Sequence, residues 1–128
     1  MKPKMLLTLS AIYIAIIGLL GLIIPATTIY GFDVANPSLL NARFRVSLSL
    51  YIGVVVVNWF ARNAEASKAR DAIFLGNAVG FALWTILVAL VVFNPGSDPM
   101  GWVYVVINLF FTVAFLMVGR ANMSTIAS

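Results

Sequence analysis

Three asparagines and two arginines are the side chains of this chain best suited to hold a ligand. Asn58, Asn77 and Asn108 each interrupt a long apolar run, and Arg43 and Arg45 stand at the start of another. An amide surrounded by hydrocarbon must find a hydrogen-bond partner. Two readings are open for the three amides: glue between helices, or a polar pocket that receives a lipid headgroup, a quinone carbonyl or a pigment metal. Asn58 lies four residues before Arg62 and Asn77 six after Asp71, so the two reach similar depth on neighbouring antiparallel helices and are expected to bond each other. Thr112 follows Asn108 by one turn on the same face. Arg43 and Arg45 are two apart and point to nearly opposite faces. Arginine grips phosphate or carboxylate bidentately, so an anionic ligand at the outer mouth stands as an alternative to plain interface anchoring.

The residue types that are missing narrow the chemistry. The chain has no Cys and no His, which removes disulfides, thiol nucleophiles, the usual zinc sites and the commonest haem ligands. No ionised side chain lies deep in an apolar run, which argues against a proton relay or an ion pathway. No acid, base and nucleophile stand together, so an enzyme is not expected and no catalytic or metal-binding residue is assigned. No cofactor is predicted from the residues. Lipid, quinone and pigment remain the classes of small molecule in play, and no nucleic-acid partner is expected.

Four apolar stretches must position these side chains: residues 5–26, 46–61, 72–93 and 102–119. About 20 apolar residues make a helix long enough for a hydrocarbon core of roughly 30 Å. Hydrophobic residues form 62% of the 128-residue chain and charged ones 9%, too few for the polar coat of a water-soluble domain. The expected fold is all-α, a four-transmembrane-helix bundle running up-down-up-down, in a single membrane domain over residues 1–128. Asn36-Pro37 and Asp98-Pro99 are helix-start signals, because a capping side chain is followed by a proline that loses no hydrogen bond. They extend the spans to about 5–26, 37–61, 72–93 and 99–119. The intervening 25–44 segment should lie in the outer interface, and 94–99 reads as a turn. The first span, after Lys2 and Lys4, is longer than a secretory signal's apolar core and reads as an uncleaved signal anchor.

Six basic residues, Lys2, Lys4, Arg62, Lys68, Arg70 and Arg120, fall on one side of the four spans with only Glu65 and Asp71. By the positive-inside rule that side, with both termini, is cytoplasmic. Trp59, Trp102, Tyr30 and Tyr104 fall in the two aromatic belts, and Trp84 lies deeper, where it lines or fills a cavity. The two halves form a faint repeat, each a span, a proline-containing connection, a second span and a terminal Arg62 or Arg120.

Helices in lipid associate through close backbone approach, so small residues at four-residue spacing mark packing faces. Ala72, Gly76 and Gly80 form one such ridge, Ser49 and Gly53 a second, and Ala11, Ala15 and Gly18 a third. Each is expected to meet a neighbour inside the bundle, with a partner subunit or a second copy of the chain as the alternative for Gly76 and Gly80. Function is accordingly expected to be that of a non-catalytic membrane subunit acting through helix packing, as an accessory chain of a larger complex or as a homo-oligomer. The alternative is a small carrier or binding protein for a lipid, quinone or other apolar molecule.

The layout of a basic start, Leu22-Ile23-Ile24-Pro25, an outer segment leading to Arg43-Phe44-Arg45 and a second span ending Trp59-Phe60-Ala61-Arg62 resembles the small four-helix inner-membrane proteins of bacteria grouped as uncharacterised families. That resemblance implies the four-span topology and a multi-pass location in the bacterial cytoplasmic membrane. It implies no activity.

Overall fold

The computed structural model describes residues 1–24, 37–93 and 99–123, and side chains there except those of 37–41, 43 and 44. The expected outer-interface segment, the turn around Pro95, the capping side chains of Asn36 and Asp98 and the direction of Arg43 lie outside the described residues. The regular structure of the described residues is all helical: α1 (Pro3–Ile23), α2 (Pro37–Ala61), α3 (Lys68–Val92) and α4 (Met100–Ala121). Three of them, α1, α3 and α4, are long and apolar enough to cross a membrane. In α2 the apolar part is the shorter stretch Arg45–Ala61.

Local chemistry explains the helix ends. Pro3 opens α1 at a position where its missing N–H is no loss. Pro37 opens α2, as its sequence predicts. The third helix starts at Lys68, a turn before the apolar stretch, because Ser67 caps it by accepting from the Arg70 amide at 3.2 Å. Asp71 then sits in the first turn, where the helix dipole favours negative charge. The Arg70 guanidinium donates to the Ala64 carbonyl at 3.2 Å and to the Asn122 carbonyl at 3.0 Å, which ties the α2–α3 connection to the end of α4. Next to it, the Arg62 guanidinium carbon stands 3.4 Å above the Trp59 ring.

Packing is uneven. The most extensive contact joins α3 to α4 and the next joins α1 to α2, whereas α1 with α4 and α2 with α3 touch only locally. Phe74 meets Phe115, Phe81 meets Phe111 and Phe93 meets Trp102, so α3 and α4 run antiparallel along their whole length. One glycine of α4 allows this approach. A Cβ at Gly101 would overlap the Val92 side chain, whereas one at Gly119 would make only an ordinary contact with Phe74 at 3.5 Å. The main core gathers Leu6, Leu7 and Ile14 of α1 with Phe74, Phe81, Phe111 and Phe115. Leu19, Leu50, Phe60 and Leu90 are among the many large apolar side chains left facing outward. In water that surface would drive aggregation; in lipid it costs nothing.

The small-residue ridges of α2 and α3 differ from expectation. A Cβ added at Gly53, Gly76 or Gly80 meets no described atom within 4 Å, and Ala72 and Ser49 are exposed. None of these five lies against a neighbouring described helix in the way a buried packing ridge would. The reason is the weak α2–α3 contact: the α3–α4 pair packs through aromatic rings and through Gly101, which leaves the small face of α3 turned outward. On the α1 ridge Ala11 and Gly18 are buried, although a Cβ at Gly18 likewise meets no described atom within 4 Å.

Candidate functional site

Two side-chain bridges cross from α2 to α3. At the first, Asn58 and Asn77 exchange reciprocal hydrogen bonds, each Nδ2 donating to the other's Oδ1 at 2.8 Å. Asn58 Nδ2 also donates to Ser10 Oγ of α1 at 3.0 Å, and Asn77 Nδ2 to the Ile73 carbonyl at 2.9 Å. The pairing expected from residue counting is therefore present, with Ser10 as a third member that counting missed. Every amide hydrogen of both asparagines is engaged within the protein, so neither has a donor left for a ligand.

At the second bridge, Tyr51 of α2 stacks on Trp84 of α3, with ring centroids 5.2 Å apart and planes inclined by 20°. Tyr51 precedes Asn58 by seven residues and Trp84 follows Asn77 by seven. Seven residues are two turns, so the bridges lie about 10 Å apart along both helices, which therefore run antiparallel here. The twin spacing was readable in the sequence, but it becomes meaningful only once the two helices are known to face each other.

Along these bridges runs a groove of about 910 Å³. Gly53, Gly76 and Gly80 line it together with Tyr51, Trp84 and the Asn58–Asn77 pair, while Leu50 and Leu87 stand on its exposed margins. None of its described lining residues is charged. Among the described residues, Tyr51 Oη and Trp84 Nε1 have no hydrogen-bond partner. Both are donors that an apolar setting leaves unsatisfied. Trp84 continues inward into a layered set of rings: Phe81 lies 6.4 Å from it at 14°, and Phe111 lies 4.8 Å from Phe81 at 19°.

The remaining candidates lie elsewhere. Asn108 is fully buried between α4 and α1 and accepts a long 3.4 Å hydrogen bond from the Tyr13 hydroxyl; its Nδ2 is buried with no partner. Thr112 donates to the Asn108 carbonyl at 2.9 Å, a bond within α4 that leaves the amide unaided. Asn108 does not line the groove. Arg45 is exposed and is likewise absent from the groove lining. The structure thus brings Asn58, Asn77, Ser49, Gly53, Gly76 and Gly80 together at one groove, and keeps Arg45 and Asn108 apart from it. Compared with protein-family models, with curated proteins and with solved structures, the chain matches none.

Proposed function

We propose that this is a non-catalytic, four-span protein of the bacterial cytoplasmic membrane that binds an apolar small molecule in the groove between α2 and α3. One observation carries the reading: a groove of about 910 Å³ whose margins are apolar and whose Tyr51 and Trp84 present polar atoms without a partner among the described residues. That volume is typical of ligand sites, and a few polar groups set in an apolar wall are what orient a ligand in one. With every amide hydrogen used internally, Asn58 and Asn77 serve as the brace that holds the groove's two walls. In this reading α2 is the fourth span, up-down-up-down, with Arg43 and Arg45 at outer headgroup depth and both termini inside.

Filling the groove tests the binding. Because a Cβ at Gly80 meets nothing, Gly80→Leu is expected to leave unfolding in detergent unchanged while lowering ligand retention at least tenfold. Retention is read by native mass spectrometry of the purified full chain. A stoichiometric small molecule in the parent that persists in Gly80→Leu contradicts the assignment. The orientation has its own test, made simple by the absence of native cysteine. Asn63→Cys should be shielded from an impermeant thiol reagent added to intact cells, and Pro99→Cys should react; the reverse pattern overturns the topology.

The open glycines favour one further reading. A face where backbone is bare over Gly53, Gly76 and Gly80 also suits close approach by a transmembrane helix, as in an accessory subunit or a homo-oligomer. The same mass spectrum separates the two, since a second polypeptide in place of a small molecule supports helix docking.

A further inference from the structure

Resting on the groove-binding reading, we infer that the ligand carries a flat conjugated ring with carbonyl acceptors, of the quinone class, on a long apolar chain. Three features of the groove select it. The stacked pair Tyr51 and Trp84 continues to Phe81 with successive inclinations of 20° and 14°, and all three rings line the groove. The walls therefore present near-parallel ring faces on which a planar head can stack at a favourable offset. Among the described residues the unpartnered polar atoms are Trp84 Nε1, which can only donate, and Tyr51 Oη, which can donate or accept, so a ligand that supplies acceptors satisfies both.

The third feature is the absence of charge among the described lining residues. A phosphate or carboxylate brought into an uncharged apolar groove would lose its hydration without a cation to replace it. That disfavours phospholipid and fatty-acid headgroups and leaves neutral carbonyl oxygens as the matching acceptors. Leu50, Val54, Val57, Leu83 and Leu87 continue the groove as an aliphatic track suited to a chain.

The full chain with Trp59→Phe and Trp102→Phe keeps Trp84 as its one tryptophan reporter, in the wall itself. Two probes are titrated in lipid nanodiscs: a decyl-substituted benzoquinone and a dibromoalkane of matching length without acceptors. Both are expected to quench Trp84 saturably, the quinone at lower concentration. Tyr51→Phe keeps the ring stack and removes one donor. It should weaken the quinone about tenfold, the usual scale for one hydrogen bond in an apolar site, and leave the dibromoalkane unchanged. If both probes saturate but the quinone binds no tighter, or ignores Tyr51→Phe, the ring-carbonyl assignment is wrong while the groove remains a binding site. If neither saturates, groove binding itself is wrong and the ligand class falls with it.

Discussion

Phe115→Ala is expected to cost about 3 kcal/mol of stability, the largest loss of any single truncation in the chain. Phe115 is 1% exposed and belongs to the main core. It meets Phe74 edge-on at 5.4 Å and stacks on Phe81 at 5.8 Å, so its ring holds α4 against α3 at two levels. Core Phe→Ala changes in water-soluble proteins cost about 3–5 kcal/mol, part of it the transfer of the ring out of water. Lipid is as apolar as the core, so that part fades and the lost dispersion contacts and the cavity remain. The low end of the range follows. Phe110 is the internal control, since it is half exposed on the outer face of α4; Phe110→Ala should cost well under 1 kcal/mol. Denaturation by SDS in mixed micelles measures both, and comparable losses would show that α3 and α4 are not joined through this aromatic core.

Replacing the buried amides should give opposite signs at different sites. Asn58→Leu strips three hydrogen bonds from a fully buried node and leaves Asn77 Oδ1 and one Asn77 hydrogen without partners. A loss of about 1–2 kcal/mol is expected, bounded by the modest worth of interhelical hydrogen bonds in membranes. The double variant Asn58→Leu with Asn77→Leu should lose less than the sum of the singles, because removing both partners leaves no orphan. Asn108→Leu removes a donor that is already unpartnered at the cost of one long bond to Tyr13, and should stabilise by about 1 kcal/mol. Strict additivity of the asparagine pair, or a large loss at Asn108, would overturn this division of roles.

The Asn58–Asn77 pair was legible from position alone. Each amide's distance from the charged end of its apolar stretch sets its depth, and two amides at one depth in hydrocarbon have few alternatives to each other. Ser10 escaped notice because a serine in a helix can satisfy its own hydroxyl, as this one does by donating to the Leu7 carbonyl at 3.1 Å; only its neighbours reveal that its oxygen also accepts. Trp84 was legible as a deep ring that lines or fills a cavity, and it lines the groove; Tyr51 gained a role only once α2 and α3 were set face to face. The small-residue ridges of α2 and α3 were located but expected under a neighbour that is not there, since four-residue spacing defines a face of one helix and is silent about what lies opposite.

By itself the sequence determined the four helices of the described residues, the start at Pro37 and the apolar lengths that suit α1, α3 and α4 to a membrane. These are local properties: a backbone in hydrocarbon must close its own hydrogen bonds, so length, hydropathy and prolines suffice to place helices. Tertiary structure alone decided that α3 pairs with α4 and α1 with α2, while α2 and α3 part along a groove. Lipid solvates apolar side chains as well as a protein core does, so no hydrophobic pattern marks the inside of such a bundle. The choice falls to shape, to rings that interlock at Phe81 and Phe115 and to a backbone bare enough at Gly101 to be approached.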